Sequence, residues 1–552
     1  MSSESENKPW RARRFSLRVE TLTLIFSIAF TLTSNSVFWR TLLTGRDASE
    51  MSTWFVAAAM FVSITCAHFL LLLLVCNRWT VKPILSVLLV ANAFAVYFVE
   101  EYTVYLDPSM LRNILRTDVA EASDLLGAGM LPSLFLYALV PLFLLWRVDI
   151  IKTTIGRAVL FRAISLGLAV LIGAGAVMVQ FQDIAATMRN QKAMRYLITP
   201  ANFIYSGVRV LTSEAEMASQ PLMSVGADAK QSSLGQQSRR PRLVVLVVGE
   251  TARAANWGLS GYSRQTTPEL AKLDVVNFVE TISCGTNTEV SVPCMFAAVG
   301  RRDYDETRIR RSESLLHVLK HAGVRSVWID NQSGCKGVCT GLEFVRAGSV
   351  ENSPDFARLC PDGLCFDEIM LSDLKPLIDA EKSDLLVVLH QMGNHGPAYY
   401  KRYPPGFEQF KPACQRAELG ECTQQEIVNA YDNALTYTDH MLAATIRLLE
   451  TQTTHDVAMI YVSDHGESLG ENNLYLHGVP YSIAPRTQIH VPMVMWLSPG
   501  FAQSSRISVD CLRERAKLPS SHDNLFHTTL GLMDVRTSVY EPGLNLAAGC
   551  IQ

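Results

Sequence analysis

Apolar residues along this chain fall into two regimes. In the first two hundred positions they form long stretches, at approximately 20–39, 54–76, 82–99, 130–146 and 158–180. About 20 apolar helical residues cross a bilayer core, so each stretch is of near-spanning length, the fourth only marginally. Beyond position 240 the apolar residues come instead in short β-branched runs, beginning with Leu243–Val248 and recurring at Val324–Ile329, Leu385–Leu389, Val457–Val462 and Val491–Leu497. Such runs suit strands buried on both faces of a parallel sheet, and helix-like segments separate them. Between the regimes, Ser224–Ser238 is rich in Ser, Gln and Gly and has linker composition. The pattern divides the chain into a five-helix transmembrane domain at 1–180, a linker and bridging helix at 181–240, and one large α/β domain at 241–552.

Charge sets the orientation. A cleavable signal peptide would account for the first stretch alone, and Asn35 and Ser36 lead into bulky Phe38 and Trp39 rather than a small-residue cleavage site. Lys8, Arg11, Arg13, Arg14 and Arg18 precede the first stretch, Arg78 and Lys82 lie between the second and third, and Arg147, Lys152, Arg157 and Arg162 surround the fourth and fifth. That side is expected to be cytoplasmic. Five crossings then put everything after about residue 181 outside, in the periplasm of a bacterium with two membranes. The net charge of -3 carries no nucleic-acid footprint. Ten of the twelve cysteines lie beyond residue 280, mostly in close pairs: Cys284/Cys294, Cys335/Cys339, Cys360/Cys365 and Cys414/Cys422. Their irregular spacing and exported setting favour disulfides over a zinc cluster, with Cys511 and Cys550 left for a fifth bridge.

Ligands of open α/β sheets bind beyond the carboxyl ends of the strands. Glu250 follows the first predicted strand, and Asp464 and His465 follow the fourth. Two carboxylates and an imidazole suit zinc with a further position for a reacting group. Ser283, Thr286, Thr288 and Ser291 are candidate nucleophiles in the segment that a Cys284–Cys294 bridge would staple. A dication lowers the pKa of a bound hydroxyl, and a helix starting just after Thr288 would turn free N–H groups toward a phosphate. Taken alone, the residues leave Thr286 and Thr288 as alternatives, and Thr288 also suits a simple N-cap. Asn113, Thr117 and Glu121 share one helical face. His68, in an apolar stretch, has no partner visible in the sequence and is not assigned to catalysis; the Asp439/His440 pair is read as structural, and His522 and His527 as packing or local hydrogen bonding.

Ordered motifs run through the chain: VVGETAR at Val247–Arg253, SCGTNTEVSVPCMF at Ser283–Phe296, DNQSGCKGVC at Asp330–Cys339, HQMGNHGPAYY at His390–Tyr400 and SDHGESLGENNLYLHG at Ser463–Gly478. With them the chain resembles the phosphoethanolamine transferases of the alkaline phosphatase superfamily, which include lipid A modifying enzymes and the mobile colistin resistance proteins. The resemblance implies an N-terminal five-helix transmembrane domain followed by an alkaline phosphatase/sulfatase-like hydrolase domain. It places the nucleophile at Thr288. Glu250, Asp464 and His465 match the ligands of one tightly bound zinc, completed by the Thr288 oxygen. His395 and His477 match histidines that contact the phosphoryl group or a second metal, and Ser333 with Lys336 matches a substrate-binding pair. Gln332 stands where some relatives have Asn. Asn113, Thr117 and Glu121 match residues that hold the phosphoethanolamine headgroup.

The implied reaction is a ping-pong transfer from phosphatidylethanolamine through a phosphoethanolamine-threonine to lipid A or lipopolysaccharide, by a monomer of the bacterial inner membrane working among membrane lipids and without nucleic acid. The added ammonium would confer resistance to polymyxins and cationic peptides. Heptose or Kdo of the core and periplasmic glucan are alternative acceptors. A sulfatase would need an Arg that Ser291-Val292-Pro293-Cys294-Met295 lacks. A phosphoglycerol transferase would differ in donor and usually lacks so many cysteines. A catalytically dead lipid sensor would not need the intact nucleophile and ligand set.

Overall fold

The computed structural model describes residues 15–117, 122, 125, 127–218, 220–232, 239–349, 355–361 and 364–552. Two compact units emerge. One runs to Asp107 and resumes over Ala128–Gly207; the other combines Pro108–Gly127 with Val208–Gln552. Hydropathy does not register the short helix Pro108–Arg116, which belongs with the second unit.

The first unit is helical, and all five apolar stretches form helix. Three helices, Met51–Val75, Val81–Tyr102 and Ile155–Val179, are long and apolar enough to cross a membrane. A fourth span arises only if Val19–Thr33 and Ser36–Leu43, bent by 56° at their junction, count as one. Asn35 explains the bend. Its amide donates to the Phe30 carbonyl at 2.8 Å and to the Thr199 carbonyl at 2.9 Å, and its oxygen accepts from the Thr199 N–H at 2.8 Å, which serves the backbone groups that the broken helix frees. The fourth stretch, Met130–Trp146, is a shorter apolar helix with a π-helical turn at Phe135–Leu139. Among the described residues the structure therefore supports three or four full-length spans rather than five equal ones.

The second unit is built on an eight-stranded sheet. In chain order its strands are β1 (Arg242–Gly249), β2 (Val276–Ile282), β3 (Arg325–Asp330), β4 (Glu343–Arg346), β5 (Leu385–His390), β6 (Asp456–Ser463), β7 (His490–Leu497) and β8 (Ser520–Ser521). They lie in the order β8-β2-β7-β6-β1-β5-β3-β4. β7 pairs antiparallel with both neighbours; every other pairing is parallel. The five apolar runs correspond to β1, β3, β5, β6 and β7, and β1, β5 and β6 are buried along their whole length. Sequence reading missed β2, β4 and β8. β2 alternates between buried and partly exposed positions and β4 is largely exposed, so neither carries a continuous apolar run.

Five disulfides brace the loops: Cys284–Cys294, Cys335–Cys339, Cys360–Cys365, Cys414–Cys422 and Cys511–Cys550. Cys66 and Cys76 stay free. Part of the stretch with linker composition is ordered, since Lys230–Gln231 pairs with Val535–Arg536.

Candidate active site

The register Gly249↔Ser463 sets the ends of β1 and β6 side by side, so the residues that follow, Glu250 and Asp464, emerge together at the carboxyl edge of the sheet. Ligand atoms of Glu250, Asp464 and His465 lie within 4.8 Å of one another, all buried. His465 Nδ1 donates to the Gly466 carbonyl at 2.8 Å, which leaves Nε2 free to face the carboxylates, 3.3 Å from Glu250 Oε1 and 3.4 Å from Asp464 Oδ2. Asp464 Oδ1 accepts from the backbone N–H groups of Thr251 at 3.2 Å and His465 at 2.7 Å. Its Oδ2 is buried with no hydrogen-bond partner among the described residues. That orphaned oxygen beside an available imidazole nitrogen and a second carboxylate fits a divalent cation of the zinc type.

Electrostatics point the same way. Burial raises the Asp464 pKa and the neighbouring Glu250 charge adds to it, to about 7. Burial opposes a charged His465, but Asp464 and Glu250 outweigh it and lift the imidazole to about 10. Burial likewise opposes a charged Glu250, yet the His465 hydrogen bond and the His465, His395 and His477 charges hold it well below the usual carboxylate range. The site thus gathers more negative charge than one imidazolium neutralises. Thr251, directly after Glu250, holds a left-handed backbone with φ 61°, and its hydroxyl donates to Glu250 Oε1 at 2.6 Å. Gly393, at φ 52°, lets the loop after β5 approach closely, since a Cβ there would sit 2.7 Å from the Glu250 carbonyl oxygen.

The four candidate hydroxyls after β2 separate by their partners. Ser283 bonds the Gly285 carbonyl at 2.6 Å, Thr286 the Val479 carbonyl at 2.8 Å, and Ser291 the Asp464 carbonyl at 2.5 Å. Thr288 alone of these turns to the ligand cluster, with Oγ1 2.9 Å from Glu250 Oε2 and 3.4 Å from His465 Nε2. It is the first residue of helix Thr288–Met295; the N-cap is Asn287, whose side chain accepts from the Val290 N–H. His522, read from sequence as packing or local bonding, reaches further. Its Nδ1 accepts from the Cys284 N–H at 3.0 Å and its Nε2 donates to the Ser463 carbonyl at 2.9 Å, tying the Thr288 loop to the Asp464 loop. Burial lowers its pKa to about 4, so it serves as a neutral bridge.

Around this centre, the His477 ring lies 4.3 Å from His465 and 5.8 Å from His395. Sequence reading did not single out Glu467, although it stands inside the SDHGES run. It is buried, 3.3 Å from His477 Nδ1, and accepts from the Tyr399 hydroxyl at 3.1 Å. In the loop after β3, Lys336 Nζ donates to Ser333 Oγ at 2.6 Å, and Gln332, whose role was open, donates to Glu250 Oε2 at 3.2 Å. Asp439 caps the backbone N–H groups of Glu269 and Leu270, away from the cluster.

Helix Pro108–Arg116, which carries Asn113 and leads to Thr117, is fastened beside the Thr288 helix by charge. Glu289 is fully buried, and its Oε1 meets Arg116 at 2.7 Å and Arg310 at 3.0 Å. Arg116 also reaches Glu214 at 2.8 Å, and Arg112 bonds Glu214 at 3.0 Å and pairs with Glu306. Thr117 bonds back to the Asn113 carbonyl at 2.8 Å. Glu121 lies outside the described residues.

Known proteins share this architecture. A family profile described as phosphoethanolamine transferase EptA/EptB matches residues 64–215, and the sulfatase profile matches 242–535. Phosphoethanolamine transferase EptA of Escherichia coli K12 is 36% identical over 541 residues, 98% of both chains. Phosphatidylethanolamine transferase Mcr-1 of Escherichia coli is 41% identical over 428 residues, covering 76% of this chain and 79% of its own. The solved integral membrane lipooligosaccharide phosphoethanolamine transferase A of Neisseria meningitidis superposes with a TM-score of 0.90 at 35% identity, over 98% of this chain and 100% of that one.

Proposed function

The chain belongs to the phosphoethanolamine transferase family, a membrane enzyme with a sulfatase-like catalytic half, and from that premise we propose that it moves phosphoethanolamine from phosphatidylethanolamine to a phosphate of lipid A through a covalent threonine intermediate. The observation that carries this reading is the Thr288 hydroxyl, 2.9 Å from Glu250 within a buried cluster of two carboxylates and an imidazole.

Glu250, Asp464, His465 and the Thr288 oxygen would hold zinc, which when bound supplies the positive charge that favours an alkoxide and offsets charge on the phosphoryl oxygens. The Thr288 hydroxyl gives up its proton to the Glu250 side, and its oxygen attacks the donor phosphorus. The bond from phosphorus to the diacylglycerol oxygen breaks, and diacylglycerol leaves after taking up a proton, with His477 and His395 placed to deliver it. An acceptor phosphate oxygen then attacks the same phosphorus, and the bond to Thr288 breaks. Glu467 behind His477 orients the imidazole. Lys336 and Ser333 receive the headgroup phosphate, and Asn113, Thr117 and Glu121 its ethanolamine. We place the catalytic unit in the periplasm, on the inner membrane. The product gains an ammonium group, and the cell gains resistance to polymyxins.

Intact-protein mass spectrometry after incubation with phosphatidylethanolamine tests the reading. Wild type gains one phosphoethanolamine mass and Thr288→Ala gains none; diacylglycerol release without any adduct on wild type would remove Thr288 from the centre of the mechanism.

A further inference from the structure

A cavity of about 400 Å³ lies within the membrane unit, between helix Met51–Val75 and the segment around Arg195–Tyr205. Its polar wall consists of Ser63, His68, Arg195, Tyr196, Asn202 and Tyr205, and no lining residue is acidic. Nothing in the transfer reaction accounts for these groups.

The proton on His68 follows from its neighbours. Thr31 donates its hydroxyl to the Ser27 carbonyl at 2.9 Å and accepts from Thr65 at 3.1 Å. With that hydrogen committed, the 3.3 Å contact between Thr31 Oγ1 and His68 Nδ1 needs the hydrogen on Nδ1. Nε2 is then a bare acceptor. It is buried without a hydrogen-bond partner among the described residues, on a side chain that is 2% exposed. Leaving such a group unsatisfied is destabilising, so a donor is called for. On the facing wall Arg195 is exposed, stacks over the Tyr196 ring at 4.8 Å and donates to its hydroxyl at 2.9 Å, and makes no ion pair among the described residues. A cation without an ion pair among the described residues and an unfilled acceptor in one cavity match a ligand that carries both an anion and a hydrogen-bond donor.

We propose that this cavity is a second phospholipid site, in which a phosphodiester headgroup meets Arg195 and its ammonium or hydroxyl donates to His68 Nε2. A phosphatidylethanolamine satisfies both groups, and the site would keep donor lipid at the enzyme between turnovers. Only that role rests on the proposed function.

The test is native mass spectrometry of the full-length protein in detergent, in a Thr288→Ala background that blocks turnover, titrated with phosphatidylethanolamine, phosphatidylglycerol and phosphatidylcholine of the same acyl chains. The first two carry a phosphate and a donor; the third lacks the donor. The parent is expected to retain phosphatidylethanolamine over phosphatidylcholine, and phosphatidylglycerol binding shows whether a hydroxyl serves as well as an ammonium. Arg195→Ala, at an exposed position that tolerates change, is expected to weaken headgroup binding about tenfold, the equivalent of 1.4 kcal/mol. His68→Phe is expected to erase the preference over phosphatidylcholine. Equal retention of all three lipids by the parent, or unchanged binding in Arg195→Ala, would overturn the site. The readout is independent of transfer, so its failure leaves the proposed reaction untouched, and failure of the reaction leaves it untouched in turn.

Discussion

In the membrane unit Thr23, Ser27 and Thr31 donate to carbonyls four residues back, at 2.9, 2.8 and 2.9 Å, and Ser63 does the same at 2.7 Å. In the catalytic unit Glu250 and Asp464 each accept from the next residue, but Glu250 also takes partners from positions 38 and 82 residues away, and Asp464 one from 213 residues away. The first kind of polar group is satisfied by its own helix, as hydrocarbon surroundings require. The second is satisfied only once distant strands have met, and it includes charges that no helix could absorb. Loss of a polar group bonded to its own helix should therefore be nearly silent in the membrane unit, unlike loss of Asn35, which ties the bend to Thr199, and loss of one at the edge of the sheet should be costly.

The largest effect is expected from Asp464→Asn. Metal charge is worth several kcal/mol at a phosphoryl centre and each 1.4 kcal/mol is tenfold, so transfer should fall on the order of a thousandfold. Stability gives a sharper test because its sign depends on the metal. Without metal, Asp464 titrates near 7 rather than near 3.8, so the fold binds a proton that the unfolded chain releases. Its stability then declines as pH rises through that interval. At pH 8 with chelator, Asp464→Asn should melt higher than wild type; with zinc it should melt lower, since the variant loses the stabilisation that binding adds. Thermal denaturation with and without zinc checks both signs, and a lower melting temperature in both states would show that burial of the Asp464 charge and its repulsion from Glu250 do not dominate.

A smaller effect divides the charge network. Arg310 is buried against Glu289, with 6% of its side chain exposed, whereas Arg116 is 34% exposed. Removing one partner of a buried pair costs about 3–5 kcal/mol. Partly exposed pairs are worth about 1 kcal/mol or less. Arg310→Ala should lower the melting temperature, while Arg116→Ala should fold normally, raise KM for the lipid donor about fivefold, the equivalent of 1 kcal/mol, and leave kcat within about twofold. A drop in kcat equal to the loss in kcat/KM would place Arg116 at the reacting atoms instead of at the mooring of helix Pro108–Arg116.

The same contrast explains what could be read from the sequence. Strands β1, β5 and β6 were visible because burial on both faces makes them continuously apolar, and Glu250 and Asp464 followed because the ends of buried strands are fixed points. β2 half-faces solvent and gave no such run, although it carries the Thr288 loop. Residue reasoning alone could not choose between Thr286 and Thr288, since the choice depends on which hydroxyl a neighbouring loop claims, and the Val479 carbonyl claims Thr286. Glu467, the bridge made by His522 and the clamp on Glu289 were hidden for one reason. Each joins segments far apart in the chain, Glu467 through the Tyr399 hydroxyl, where periodicity carries no signal.

Thr31→Val should produce the smallest change and decides whether the comparison holds. Valine keeps the shape and removes one hydroxyl, which donates to the Ser27 carbonyl and accepts from Thr65 and His68. The Ser27 carbonyl retains its place in the helical ladder, and Thr65 can turn its hydroxyl back to its own helix. Interhelical side-chain hydrogen bonds in membranes average about 0.6 kcal/mol, so the loss expected in an unfolding titration in mixed micelles is below about 1 kcal/mol, with transfer activity retained. His68 is the one neighbour without an easy substitute, because the proton on Nδ1 is placed by Thr31. A cost above about 2 kcal/mol would mean that this polar group, like those at the sheet edge, holds together parts of the chain that its own helix cannot reach.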